Sequence, residues 1–387
     1  MEYNGGQKTI LRGELFMKKE FGLRSDGQQA YLYTIRSGKI TAEISDHGAT
    51  LVKLFVPDSE GNVADVVLGF DTPDEYTTSG TFFGATVGRN ANRVGKAAFV
   101  LNGKQCNLDA NDNGVNNLHS GFDPFKNRMW QVMEHSESSI RMELNSPNGD
   151  QGFPGNAVIS VTYRLESDGS LRILYDGICD QDTVFNMTNH TYFNLAGHNH
   201  PEKAMDQILS MPARVYTFSD EQSIPTGELR EVDGTPMDFR EPKAIGRDLG
   251  EDYDSLKLQG GYDHNFEVFC NPCATLKDPD SGRIMTVSTD CCGLQFYSGN
   301  FLEGETGKDG VSYTYRGGIA LETQFYPDSV NKPQWKQPFV KVGERYHSET
   351  VYKFLEIKAA AQVCAAAYFV DNKIYHHKRL WPGVDFA

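Results

Sequence analysis

The stretch NMTNHTYFNL at positions 186–195 sets one imidazole, His190, among amides, hydroxyls and aromatics. An ordinary histidine titrates near pH 6.5 and can give or take a proton at neutral pH. A lone histidine in a buried element is usually structural, but Asn186, Thr188, Asn189, Thr191, Tyr192 and Asn194 surround this one with donors and acceptors. Such a set suits a polyhydroxylated ligand and can fix a ring nitrogen. A proton donor needs a complementary base, and GIALETQ at 318–324 places Glu322 directly after an apolar strand segment. A glutamate there is either paired structurally or aimed into a pocket that raises its pKa. The loop FYPDSVN at 325–331, with Asp328 and Asn331, follows it.

Three more segments carry polar chemistry. GRNANRVG at 88–95 offers guanidinium and amide groups between glycines, NNLHSG at 116–121 adds His119, and GGYDHNF at 260–266 adds Asp263. Each taken singly reads as a turn or surface loop. No glycine cluster has the spacing of a phosphate cradle. Cys270-Asn271-Pro272-Cys273 and Cys291-Cys292 superficially suggest zinc. Adjacent cysteines on a strand point to opposite faces, so these read as free thiols and no metal site is assigned. The paired histidines His376 and His377 near the C-terminus read as solvated.

The elements that must position these groups are strands. Phe99-Val100-Leu101, Asn102-Gly103 and Lys104-Gln105-Cys106 read as a hairpin, because Asn-Gly supplies the two positive φ angles of a type I′ turn. Val161–Leu165 and Leu171–Tyr175 flank Asp168-Gly169, and Ala274–Leu276 and Ile284–Val287 flank Asp280-Ser281-Gly282, in the same manner. Glycine accounts for 38 of 387 residues, and no long amphipathic helix emerges between residues 20 and 355. The fold class is therefore all-β, a large sandwich or barrel in one domain. Met17 would serve as an alternative start, leaving 1–16 as a dispensable extension. The alanine-rich and then basic, aromatic segment at 359–387 is a tail without an assigned role.

Composition excludes some functions. The formal net charge is −15, from 37 basic and 52 acidic residues, which argues against nucleic acid as a partner. A neutral sugar is compatible with that surface. No apolar run approaches the roughly 18–20 residues that span a bilayer, and the first residues lack the apolar core of a signal peptide. Seven cysteines, an odd number in a long chain, suit reduced thiols. These features predict a soluble, cytoplasmic protein with no membrane partner.

Taken together, GRNANRV at 88–94, NNLHSG at 116–121, TNHTYFNL at 188–195 and LETQFYPDSVN at 321–331 resemble the aldose 1-epimerase (galactose mutarotase) family. YDHNF at 262–266 and LQFYSGN at 294–300 fill the intervening positions, and the likeness runs from about Met17 to Phe354. The resemblance implies a galactose mutarotase-like β-supersandwich with an open sugar cleft, spanning 17–358. It implies proton transfer by His190 and Glu322, and substrate binding by Asn92, Arg93, His119, Tyr192, Asp263 and Gln295. It also implies a monomer that needs no cofactor and acts on a small monosaccharide such as galactose or glucose. Glu322 would take the proton of the C1 hydroxyl while protonated His190 delivers one to the ring oxygen. Three alternatives stand beside this reading. A glycoside hydrolase would use two carboxylates such as Asp263 and Glu322. A hexose-6-phosphate 1-epimerase would need an arginine cluster, toward which the sequence offers Arg89 and Arg93. A non-catalytic sugar-binding protein would have no use for a matched acid and base.

Overall fold

The computed structural model describes residues 17–302 and 304–355. The extension at 1–16 and the tail at 359–387 lie outside the described residues. Strands dominate, and the two α-helices described are only six residues each, Pro73–Thr78 and Asp254–Gln259. The first is set by a capping box: the Glu75 amide donates to the Thr72 hydroxyl and the Thr72 amide to the Glu75 carboxylate. Neither is long and apolar enough to cross a membrane.

Three antiparallel sheets form the body. A five-stranded meander runs in chain order from Lys18–Leu23 to Val63–Asp65. A nine-stranded sheet has Ser139–Ser146, Ala157–Leu165, Ser170–Cys179, Tyr346–Phe354 and Ile284–Thr289 as successive central neighbours. A six-stranded sheet runs in the order Tyr192–Phe193, Ile319–Gln324, Gly293–Tyr297, Asp263–Glu267, Val215–Ser219, Pro225–Glu231. The anticipated hairpins are present. Ala98–Leu101 pairs with Lys104–Asn107, with φ of 52° at Asn102 and 76° at Gly103. Ala157–Leu165 pairs with Ser170–Cys179, and Ala274–Lys277 with Ile284–Thr289.

Alternation of side chains builds the core. Ile140, Met142, Ile159, Val161, Tyr163, Ile173 and Tyr175 project from the nine-stranded sheet into one continuous cluster. Leu294, Phe296, Ile319 and Leu321 of the six-stranded sheet meet them there, so the two sheets form a sandwich. Burying each such side chain contributes roughly 1.5–3 kcal/mol. All six positions of Ile319–Gln324 are buried, so this strand is covered on both faces. Its core face carries Ile319 and Leu321, which leaves Ala320, Glu322 and Gln324 on the other face. The polar chemistry is therefore mounted on a strand that the core holds rigid.

Candidate active site

Glu322 sits in the middle of that strand and is 2% exposed. Register places it opposite Gln295, which in turn lies opposite Asn265, so the three share one row on one face. Asp263 and Tyr297 form the next row together with Ala320 and Tyr192. The Leu321 carbonyl in the same strand accepts from the Tyr352 hydroxyl at 2.9 Å, tying the strand to the sheet beneath.

His190 lies between two short strands that anchor it from both sides. Thr188–Asn189 pairs with Thr86–Val87, and Tyr192–Phe193 pairs with Ile319 and Ala320. The His190 amide donates to Ala85 O and its carbonyl accepts from the Gly84 amide, both at 3.0 Å. Gly84 has φ of 64°, and the Leu51 carbonyl leaves no room for a Cβ there, so only glycine brings this backbone so close. Asn189 donates to Gly84 O at 2.8 Å and to the Tyr163 hydroxyl at 3.0 Å, so this amide fixes the backbone. The imidazole itself is stacked on Tyr192 (centroids 5.0 Å apart, planes at 20°) and also faces Phe82 (5.9 Å, 29°).

His190 Nε2 stands 3.6 Å from Glu322 Oε1. The second ring nitrogen, Nδ1, and the second carboxylate oxygen, Oε2, are buried without a protein partner. Burial pushes the His190 pKa down to about 4, and burial reinforced by Asp263 holds that of Glu322 well above the carboxylate range, with Arg93 opposing. The two shifts have opposite directions, and each favours the uncharged form of its group. Burial alone favours neutral His190 with protonated Glu322.

The remaining predicted residues surround this pair. His119 is 5.3 Å from His190 between centroids, at 74°. Its Nδ1 accepts from the Asn92 amide at 3.2 Å, which leaves the proton of the neutral ring on Nε2. Asn92 holds φ of 62° and its side-chain oxygen accepts from the Arg93 amide at 2.8 Å. Arg93 gives Nε to Asp112 at 2.9 Å. Asp263 accepts from Gln295 Nε2 at 2.6 Å, and burial raises its pKa against the opposing charge of Arg93. A cavity of about 310 Å³ is lined by seven of the eight predicted residues, together with Phe82, Tyr297, Phe301 and Glu305 among others. Gln295 is the exception. It donates to Asp263 and acts on the cleft through that carboxylate.

Sequence reasoning missed Asp112, which orients Arg93, and Phe82, which covers both imidazoles (4.7 Å from His119 between centroids). An aspartate in Asn111-Asp112-Asn113-Gly114 looks like a turn residue, and only the pairing of Arg93–Val94 with Asn117–Leu118 brings it near the arginine. Arg89 goes the other way. Its guanidinium is fully buried and donates to the carbonyls of Ser146, Pro147, Pro154 and Gly155 and to the hydroxyls of Ser146 and Thr183. It is a structural peg that does not line the cleft.

His119, His190 and Glu322 offer ligand atoms within 4.8 Å of one another, so their types could hold a divalent metal. The hydrogen bonds do not fit one. A ligating histidine donates its other N–H to an acceptor, whereas His119 accepts on Nδ1 and His190 Nδ1 faces no acceptor. A larger hollow, about 480 Å³, lies on the outer face of the nine-stranded sheet. Four of its five charges pair with each other, Arg172 with Glu349 at 2.9 Å and Lys353 with Asp168 at 2.8 Å, Asp290 accepts from the Glu349 amide at 3.0 Å, and the hollow carries no comparable chemistry.

Comparison with known proteins agrees with this geometry. The profile of the Aldose 1-epimerase family matches residues 31–353. Mouse (Mus musculus) galactose mutarotase is 40% identical over 339 residues, covering 86% of this chain and 96% of that protein. Escherichia coli K12 aldose 1-epimerase is 38% identical over 341 residues, covering 86% and 97%. Among solved structures, the GalM/aldose epimerase homologue from C. elegans superimposes with a TM-score of 0.78 at 30% identity, covering 84% of this chain and 99% of that one. Galactose 1-epimerase from Lactobacillus acidophilus NCFM gives 0.77 at 28%, covering 88% and 98%. The β-supersandwich anticipated from sequence is thus the fold observed, and the chain belongs to the aldose 1-epimerase family.

Proposed function

We propose that the protein is an aldose 1-epimerase, an isomerase that interconverts the α and β anomers of free, uncharged hexoses such as galactose and glucose. The observation that carries this reading is the His190–Glu322 pair, 3.6 Å apart at the base of a cleft and driven by burial in opposite directions. In the forward step Glu322 takes the C1 hydroxyl proton, the C1–O5 bond breaks as the aldehyde forms, and His190 gives its proton to O5. Rotation about C1–C2 and the reverse transfers close the ring on the other face. Ring opening converts a buried ion pair into a neutral acid and a neutral imidazole, the state that burial favours. The open-chain intermediate is therefore matched to the pair's preferred protonation. Each such proton transfer typically contributes 10²–10⁴-fold. Arg93, His119 with its Nε2–H, and Asp263 would hold ring hydroxyls, and no step calls on a cofactor.

The rival readings draw less support. A phosphosugar enzyme needs clustered cations. Among the described residues lining the cleft Arg93 is the one arginine, it is paired with Asp112, and Glu305 adds a carboxylate at the rim. A hydrolase or a pure binder would have no use for an imidazole poised against Glu322. The proposal extends to a cytoplasmic monomer whose catalytic domain spans 17–358 with 1–16 dispensable, which gel filtration and a truncated chain would test. The deciding experiment is polarimetry on freshly dissolved α-D-galactose, α-D-glucose and α-D-glucose 6-phosphate. Faster decay of the two free sugars to an unchanged equilibrium rotation is expected. Acceleration of the phosphate alone would replace this reading with the phosphosugar one, and no acceleration at all would favour a binding protein.

A further inference from the structure

Phe82 belongs to a short wall, Ser79–Phe82, that follows the helix Pro73–Thr78 and closes one side of the cleft. Its half-buried ring lies against His119 at 4.7 Å and against His190 at 5.9 Å. What fixes this wall comes from behind the cleft. Lys126, in the 3₁₀ turn Phe125–Asn127, is 7% exposed and does not line the cavity. Its ammonium donates to the carbonyls of Tyr76 at 2.7 Å and Ser79 at 3.0 Å, and lies 5.3 Å from the centre of the Phe82 ring. Buried lysines normally pair with a carboxylate, yet no salt bridge to Lys126 occurs among the described residues. Its anchors are instead two carbonyls at the C-terminal end of a helix, where a cation is favoured, and the face of an aromatic ring. Burial pushes its pKa down to about 8. A desolvated charge of this kind costs stability and is well placed to specify one geometry.

We propose that Lys126 is a positioning residue for the proton-transfer site: it clamps the Ser79–Phe82 wall so that the Phe82 ring packs on both His119 and His190. This rests on the epimerase reading for its catalytic consequence, though not for its geometry. Through Phe82 the clamp excludes water from the His190 ring and holds the ring flat against Tyr192, in line with Glu322. A misplacement of about 1 Å in such a site can cost on the order of 100-fold in rate.

The test is a double-mutant cycle in the full chain with Lys126→Met, Phe82→Leu and the pair. Mutarotation of α-D-galactose, thermal unfolding and the NMR signals of the His119 and His190 rings are read for each. Lys126→Met is expected to lower kcat on the order of 10-fold or more and to shift both ring signals, while those of His347, exposed outside the cleft beside Asp176, stay in place. In the Phe82→Leu background the same change should cost little further, because the clamp then has nothing to hold. Full additivity of the two changes, or unmoved ring signals in a folded Lys126→Met protein, would overturn the proposal. If Lys126→Met fails to fold, Lys126→Arg keeps the cation but redirects its donors. Displaced ring signals would then support the clamp, and unmoved signals with native rates would sink it. Should the native chain show no mutarotation while the ring signals move as expected, the epimerase reading fails and the clamp stands.

Discussion

Replacing Glu322 with Gln separates chemistry from folding at the most informative position. The carboxylate is 2% exposed, its Oε2 has no protein partner, and burial already disfavours its charge. Glutamine keeps the shape and removes the charge, so the change relieves desolvation and should leave the unfolding temperature unchanged or slightly higher. Turnover should behave otherwise. An amide cannot accept the C1 proton, and loss of one general base removes about 10²–10⁴-fold. That range corresponds to roughly 3–5 kcal/mol of barrier at 1.36 kcal/mol per tenfold. The spontaneous reaction sets a floor, so initial polarimetric rates must be taken at several enzyme concentrations and extrapolated for the slope. A folded Glu322→Gln protein within about fivefold of the parent rate, well short of that loss, would refute Glu322 as the base. Collapse of the fold would instead refute the claim that its charge contributes nothing to stability.

Asp112→Ala should free Arg93 from its 2.9 Å partner and raise KM for galactose about tenfold, the scale of one weakened charge-assisted contact, with kcat changed little; an unchanged KM would show that Arg93 is held by other means. Lys308 is fully buried and donates to Asp65 Oδ2 at 2.5 Å and to the carbonyls of Val52 and Val67 at 2.7 Å. Lys308→Met should therefore destabilise by about 3–5 kcal/mol in a urea melt, because it strands a buried carboxylate, and a loss under about 1 kcal/mol would contradict that. Burial depresses His47 to about 3, His190 to about 4 and His264 to about 3, against 6.5 for the ordinary group. The unfolded chain thus binds more protons than the folded one below 6.5. The associated stability is complete above that pH and is lost as pH falls toward 4 and then 3, with a slope of up to about 1.4 kcal/mol per pH unit for each histidine. Asp46, raised to about 6 by burial, works the other way, as do Asp263 and Glu322, but His119 and His198 are depressed as well, so the depressed imidazoles outnumber these carboxylates five to three. Unfolding temperatures that hold or rise from about pH 7 to about pH 5 would show that the imidazoles are not buried in neutral form.

Much of the molecule was legible because its signals are local. Asn-Gly dictates a turn wherever it occurs between strand residues, and the alternation through Val161–Leu165 survives into the observed ladder. The polar clusters announced their chemistry by residue type. What stayed hidden depends on register and on packing between distant segments. Gln295 and Glu322 share a row only because two strands are aligned to the residue, and that alignment, rather than the motif, decides that Gln295 serves Asp263 in the next row. Arg89 sits in the same GRNANRV motif as Arg93 yet faces the opposite way, into six acceptors of the 146–155 and 183 segments. Lys126 and Phe82 are 44 residues apart, and nothing in either neighbourhood indicates that they meet.

The unsatisfied atoms explain why the site is mounted where it is. A buried polar atom without a partner costs about 1–3 kcal/mol, and His190 Nδ1, Glu322 Oε2 and both polar atoms of Asn265 lie on or beside one sheet face. A loop could relax to satisfy them with water or backbone and would lose the 3.6 Å geometry. The strand Ile319–Gln324 cannot, since Ile319 and Leu321 lock its other face into the continuous core and Tyr352 holds its carbonyl. The core's surplus stability thus holds acid and base in the cleft with these atoms free of protein partners, where a ligand's hydroxyls can meet them. A sugar that bonds to these groups should accordingly raise the unfolding temperature more than its contacts with Arg93 and Asp263 alone would suggest. The same sugar should stabilise Glu322→Gln less, because the carboxylate whose desolvation it relieves is gone.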